Sequence, residues 1–184
     1  MNKKLKIIIL VSLIQPFNSC TINGNLKGLF SYYGKTKSTN PSLLINANAF
    51  SNICNQSNFD SPKIVIIDGL TLKDCLKKYK NAVVYIWKPK CRSKFCYSLN
   101  LLQQKCISQK LTLIVVAEYY DATIMSIHYN LEKPIFGIDT EYYKTNLTHK
   151  YLSLFLQDIT NQKNISGRIL KFSNGEFINA VDTL

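Results

Sequence analysis

Apolar positions recur along residues 62–184 with two alternating periods, which predict strands and helices in turn. Short runs of β-branched and other apolar residues predict buried strands, and apolar residues three or four apart predict helices with one buried face. The predicted strands are 63–67, 82–87, 111–117, 134–139, 168–172 and 177–181, and the predicted helices are 71–79, 95–106, 121–130 and 147–159. This alternation predicts an α/β fold in which helices flank a central sheet.

Local signals mark some of the element ends. Thr71 and Asp74 resemble a capping box at the start of the first of these helices. Asp121 is suited to cap the helix 121–130. Asn174-Gly175 lies between the last two β-rich runs and predicts a tight hairpin turn.

The first 19 residues have the pattern of a secretory signal. Lys3, Lys4 and Lys6 precede the apolar run 7–14, which is far shorter than the roughly 20 apolar residues that span a bilayer. Ser19-Cys20 resembles the lipobox of bacterial lipoproteins, and this resemblance implies that Cys20 carries a lipid. The protein would then be anchored in the membrane of the bacterial cell envelope and face the periplasm. The alternative is a plain cleaved signal with Cys20 as an ordinary thiol.

Composition divides the rest of the chain into two parts. Residues 20–61 are rich in Asn, Ser, Gly, Lys and Thr, which predicts a tether followed by an N-terminal extension. An apolar cluster at 43–54 predicts a short helix within the extension. Residues 62–184 form the predicted α/β domain.

The net charge of +12 comes from scattered lysines, and Arg92 and Arg168 are the only arginines. A nucleic-acid interface typically has a clustered basic stripe and arginines for bidentate contacts. The pattern therefore argues against a nucleic-acid partner and favours a solvated basic surface, while attraction to anionic membranes stays open.

The number of cysteines limits how they can pair in disulfides. If Cys20 carries lipid, five of the six cysteines remain, and an odd number leaves at least one free or paired between molecules. Two of the five, Cys75 and Cys106, lie on the apolar stripes of predicted helices, which favours thiols packed in the core. Cys54, Cys91 and Cys96 lie outside these stripes.

Cys91 and Cys96 follow the strand 82–87 and precede a predicted helix. The segments VVYIWKPKC, LTLIVVAEYYD and GRILKFSNGEF resemble the active-site strand, the central strand and the final hairpin of the thioredoxin-like superfamily, in particular its membrane-anchored TlpA/ResA-type redoxins. The resemblance covers residues 62–184 and implies a thiol–disulfide oxidoreductase without a cofactor, acting on protein thiols or disulfides. Cys91 would attack and Cys96 would resolve, with Trp87, Pro89 and Gly167 supporting the site.

Two features depart from that family. Four residues separate Cys91 from Cys96 where the family has two, and Ser166-Gly167 stands where the family has a cis-proline. On a continuous helix this spacing would rotate the thiols about 140° apart and beyond the roughly 7 Å that a disulfide allows between Cα atoms. A Cys91–Cys96 bond therefore requires Cys91 to lie in the loop before the helix, or the first turn to unwind.

Three functions stay open for this segment. Lys88, Lys90, Arg92 and Lys94 surround Cys91 and would stabilise a reactive thiolate. Alternatively the two cysteines are idle in a non-catalytic binding or structural subunit. A third interpretation is a copper site as in Sco-type relatives, with the thiolates joined by His128 or His149.

Overall fold

The computed structural model describes residues 28–91 and 96–184. Its strands are β1 (Leu44–Asn46), β2 (Ile64–Ile67), β3 (Asn81–Trp87), β4 (Thr112–Ala117), β5 (Ile135–Ile138), β6 (Ile169–Ser173) and β7 (Glu176–Val181). Its α-helices are α1 (Tyr33–Thr39), α2 (Gly69–Leu76), α3 (Leu99–Ser108), α4 (Ala122–Met125) and α5 (Thr148–Thr160). Short 3-10 turns cover Pro41–Leu43, Ala47–Ala49 and Ile53–Asn55.

The seven strands form one mixed sheet in the order β1-β2-β5-β4-β3-β6-β7. Strands β1 to β5 run parallel to their neighbours among themselves. Strand β6 pairs antiparallel with β3, and β7 pairs antiparallel with β6. The predicted α/β fold, a central sheet flanked by helices, is confirmed.

Both faces of the sheet are covered. Alternate residues of β3 point to opposite sides, so Val84 and Ile86 pack into a core with α2 and α5, while Tyr85 and Trp87 pack into a core with α3. All four residues of β2 are buried for the same reason. Burial on both faces is the usual condition of parallel strands, and it explains why these strands read as continuous apolar runs.

Helix α2 begins before the predicted capping box. Asp68 is the N-cap: its carboxylate accepts hydrogen bonds from the Thr71 N–H (2.9 Å) and the Thr71 hydroxyl (2.7 Å). The prediction that Thr71 caps the helix is therefore wrong, since Thr71 lies inside the first turn. Gly69 makes the early start possible, because a Cβ there would lie 2.6 Å from the Cβ of Asp158 on α5.

Helix α4 is shorter than predicted. Asp121 caps it through the Ile124 N–H (3.3 Å), but the helix ends at Met125 and does not reach residue 130. Beyond it, Asn58 donates to the carbonyl of Tyr129, and the N–H of Asn130 donates to the Asn100 side chain. Tertiary hydrogen bonds thus compete with the helical ones there.

The predicted hairpin is confirmed. Asn174 (φ 49°) and Gly175 (φ 82°) both occupy the left-handed region, as a two-residue turn of this type requires. Close packing also favours glycine at the second position, because a Cβ on Gly175 would lie 2.7 Å from the Cα of Lys77.

The described part of the N-terminal extension packs on the sheet. Strand β1 pairs with β2, and the N–H of Tyr120 donates to the carbonyl of Ser31 (2.8 Å). The short helix predicted at 43–54 is replaced by β1 and two 3-10 turns, the first of which starts where the Asn46 side chain accepts the Asn48 N–H. The predicted signal 1–19 and Cys20 lie outside the described residues. No helix in the part described has both the length and the apolar character to cross a bilayer.

A disulfide joins the extension to the α/β domain. Cys54, in the turn Ile53–Asn55, is bonded to Cys75 on α2 with the Cα atoms 4.8 Å apart. Cys75 is 2% exposed, so its predicted burial is confirmed, but the prediction of a core thiol is wrong. Sequence spacing could not reveal the partner, since cysteine pairing does not follow from spacing alone.

We expect this disulfide to stabilise the fold more than the second one, Cys91–Cys96, because it closes a longer loop. The sequence separations are 21 and 5 residues. Loop-closure entropy predicts a loss of about 3 kcal/mol in the free energy of unfolding for Cys54→Ala/Cys75→Ala, against about 2 kcal/mol for Cys91→Ala/Cys96→Ala. Urea denaturation of the two purified variants without reductant measures both. An equal or smaller loss in the first variant would contradict the expectation that Cys54–Cys75 stabilises the fold more than Cys91–Cys96.

Candidate functional site

The candidate site lies where β3 ends. After Trp87 the chain makes a turn in which the Cys91 N–H donates to the carbonyl of Lys88 (3.0 Å). Cys91 and Cys96 form a disulfide with their Cα atoms 5.9 Å apart, and both precede the first residue of α3, Leu99. Cys91 thus lies in the loop before the helix, which is the first of the two arrangements that the spacing allows for a Cys91–Cys96 bond. Residues 92–95 lie outside the described residues.

The disulfide borders a cavity of about 270 Å³, which we call the disulfide pocket. Four of the predicted site residues line it, namely Trp87, Pro89, Cys91 and Cys96. The remaining lining residues are Tyr85, Lys88, Tyr97, Ser98, Leu99, Asn100 and Tyr129. A half-buried disulfide therefore faces a pocket with four aromatic residues in its lining, Tyr85, Trp87, Tyr97 and Tyr129, which we call the aromatic wall.

The aromatic wall is held by specific contacts. The rings of Trp87 and Tyr129 meet edge to face with their centroids 5.5 Å apart. The Tyr85 hydroxyl accepts a hydrogen bond from the Tyr97 N–H (3.2 Å), so the side chain of a β3 residue fixes the backbone next to Cys96. Burial raises the pKa of Tyr85, and the Tyr97 N–H opposes that rise. The phenol is therefore neutral at physiological pH.

Sequence reasoning missed three of the aromatic residues. A signal for Tyr85 was present, because Tyr85 lies two residues before Trp87 and so projects from the same side of the strand. Tyr97 follows Cys96 directly. Tyr129 carries no such signal, since it lies in the irregular segment after α4 and reaches the pocket only through the tertiary fold.

The predicted cations around Cys91 have different environments. Lys88 lines the disulfide pocket. Lys90 instead forms an ion pair with Asp121 (Nζ to Oδ2, 2.7 Å), and its N–H donates to the Tyr119 hydroxyl (3.2 Å). Arg92 and Lys94 lie outside the described residues. Of the two described cations, Lys88 is therefore the one that lines the disulfide pocket.

A partly buried ion pair joins the strand ends from which the loop departs. Arg168 lies 2.8 Å from the Glu118 carboxylate and donates to the carbonyl of Ile86 (3.1 Å). The N–H of Glu118 donates to the carbonyl of Trp87 (2.7 Å). These contacts join the ends of β3 and β4 to the start of β6. Because the Glu118 side chain is only 10% exposed, loss of Arg168 would leave a carboxylate buried without its cation.

Gly167 has a clear structural role beside β7. Its φ is +107°, and a Cβ would lie 2.9 Å from the N atom of Val181. The residue lets the chain enter β6 close against the last strand, where the Arg168 N–H donates to the carbonyl of Val181. Gly167 is not among the described residues that line the disulfide pocket, and its part in supporting the site stays a prediction.

Neither Cys106, the remaining cysteine of the described residues, nor the two histidines are among the described residues that line the disulfide pocket. Cys106 is a buried free thiol on α3, which confirms its packing role, and burial raises its pKa to about 11. His128 lines a separate small cavity with Tyr129. Across residues 28–91 and 96–184, no group of three or more His, Cys, Asp or Glu side chains could hold a metal ion. The described residues therefore provide no set of ligands for the copper interpretation.

Comparison with known proteins assigns no family. No protein-family model, no curated protein and no solved structure matches the chain. Functional inference therefore depends on the geometry of the disulfide pocket and on the sequence patterns.

Proposed function

We propose that the protein is a thioredoxin-like thiol–disulfide oxidoreductase in which Cys91 attacks and Cys96 resolves. The observation that carries this proposal is the Cys91–Cys96 disulfide at the end of a central strand, in an open pocket beside Trp87, Pro89 and Lys88. Half-exposed disulfides near a cation are the ones that exchange with outside thiols. The parallel strands before the loop and the antiparallel pair β6–β7 are further support.

The reaction needs only the two cysteines and a partner. In the reduced protein, the Cys91 thiolate attacks one sulfur of a substrate disulfide, and the other substrate sulfur leaves as a thiolate. The Cys96 thiolate then attacks the Cys91 sulfur of this mixed disulfide, which releases the second substrate thiolate and forms the Cys91–Cys96 bond. The substrate gains two electrons and the cysteine pair loses two. A protein or small-molecule dithiol must reduce the pair again.

We further propose that the protein acts outside the cytoplasm, held at the membrane by a lipid on Cys20. The signal-like segment 1–19 and the Ser19-Cys20 pattern support this location. Two disulfides within the described residues are consistent with an oxidising compartment, where such bonds form and persist. The substrates would then be thiols or disulfides of other envelope proteins.

Cys96→Ser should trap the first intermediate. With Cys96 absent, the mixed disulfide between Cys91 and the substrate cannot resolve, so a disulfide-bonded peptide or protein should accumulate covalently on Cys91. Mass mapping after non-reducing separation identifies the bonded cysteine. Cys91→Ser is the matched control and should trap nothing under the same conditions.

Cys106 is the internal reference in that experiment, because burial raises its pKa to about 11 and keeps it a neutral thiol at neutral pH. If Cys96→Ser captures no substrate, or if the wild-type cysteine pair fails to exchange with any small disulfide, the oxidoreductase proposal is wrong. The protein would then be a non-catalytic thioredoxin-fold subunit.

Lys88→Gln should slow alkylation of Cys91 in the reduced protein, because it removes a positive charge that stabilises the thiolate. We expect a decrease of about two- to fivefold in the rate with iodoacetamide at neutral pH, followed by peptide mass analysis. Lys80→Gln is the matched control, since Lys80 is exposed at the opposite end of β3 and its loss changes the net charge equally. Equal slowing by both variants would show a bulk charge effect and no specific role for Lys88.

A further inference from the structure

A second cavity is lined by Lys90, the residue before Cys91. Its volume is about 320 Å³, and we call it the lysine cavity. One wall is α1 and its flanks, and the other follows the carboxyl ends of β3 and β4. The lining residues are Tyr32, Lys35, Thr36, Thr39, Asn40, Lys90, Tyr119, Tyr120, Asp121, Ala122 and Thr123. Clefts at the carboxyl ends of parallel strands are frequent ligand sites, and this volume falls at the lower end of the roughly 300–1,000 Å³ of such sites.

The charges around the lysine cavity favour an anionic ligand. Lys35 and Lys90 line opposite walls, and Asp121 is the one carboxylate among the described lining residues. Asp121 is already neutralised by its ion pair with Lys90, and its side chain is only 10% exposed. The described lining residues therefore carry a net positive charge, and Lys35 supplies the charge that this ion pair does not balance.

The uncharged lining groups suit a peptide. Thr36, Thr39, Thr123 and Asn40 line the same cavity. The Thr39 hydroxyl already donates within this wall, to the Lys35 carbonyl (3.0 Å) or the Asn40 Oδ1 (2.8 Å), so it can only accept from a ligand. Side-chain hydroxyls and amides can bond the N–H and C=O groups of an extended chain. The α1 wall is held by the ring of Tyr33, which packs against Tyr120 with centroids 5.2 Å apart.

The lysine cavity adjoins the disulfide loop along the chain. Lys90, which lines the cavity, is followed directly by Cys91. The N–H of Lys90 donates to the hydroxyl of Tyr119, another lining residue (3.2 Å). A peptide that contacts Lys90 in the cavity would therefore contact the chain one residue before Cys91.

We propose that the lysine cavity binds an acidic peptide segment, whose carboxylate pairs with Lys35 and whose backbone contacts the threonine hydroxyls. The binding itself does not depend on the proposed function. The identification of this segment as part of the protein whose cysteines react with Cys91 does rest on it.

The test uses a short synthetic peptide rich in Glu and lacking cysteine, with its Gln counterpart as control. Binding to the oxidised wild-type protein is measured by calorimetry at low salt, and the site is mapped by NMR shifts of backbone amides. The acidic peptide should bind more tightly and perturb Thr36 and Thr123. Lys35→Gln should weaken that binding roughly two- to fivefold, the range of a partly exposed ion pair.

Lys37→Gln is the matched variant, because Lys37 lies on the same helix but pairs with Glu141 outside the cavity lining. It should leave the affinity unchanged. Equal binding of both peptides, equal effects of the two lysine variants, or perturbations confined to another surface would overturn the proposal. So would glutarate binding as tightly as the peptide, since the occupant would then be a small carboxylate. Acidic-peptide binding without any disulfide exchange would refute the proposed function and leave this site standing.

Discussion

The pairing of β3 on both of its edges is the constraint on which the rest of the structure depends. It pairs parallel with β4 and antiparallel with β6, and from Ala82 to Trp87 every side chain is buried. Burial of each large apolar side chain contributes about 1.5–3 kcal/mol, and a shift of one residue would exchange Tyr85 and Trp87 with Val84 and Ile86 between the two cores that they fill. The cysteine loop begins where this strand ends. Its position is therefore fixed by the core, and the Glu118–Arg168 ion pair reinforces it.

The two disulfides occupy opposite situations. Cys54–Cys75 joins the N-terminal extension to α2, and its Cys75 sulfur belongs to a residue buried in the core between α2 and the sheet. Cys91–Cys96 lines the disulfide pocket, with both residues half-exposed. The first disulfide has one residue, Cys75, in the core and the other, Cys54, partly buried against it. Under the proposed function, the protein would keep its fold through this pair while Cys91–Cys96 is reduced and oxidised.

Much of the sheet could be predicted from the sequence, because buried strands leave continuous apolar runs and the turn Asn174-Gly175 has a specific backbone requirement. The same reasoning found Trp87, Pro89, Cys91 and Cys96, which are neighbours along the chain. It failed where contacts are distant in sequence. The Cys54–Cys75 pair, Tyr129 in the pocket wall and the early end of α4 all depend on segments that meet only in the folded protein. The Asp68 cap was missed because Thr71 and Asp74 offered a competing local pattern.

The most direct test of this account is the order in which the two disulfides are reduced. The protein would be equilibrated in glutathione buffers of increasing reducing strength, and each cysteine pair would be quantified by alkylation and peptide mass analysis. The account predicts that Cys91–Cys96 is reduced first, at a potential where Cys54–Cys75 remains intact, because accessible disulfides exchange and buried structural ones resist. Reduction of Cys54–Cys75 first, or of both pairs together with loss of the fold, would contradict it.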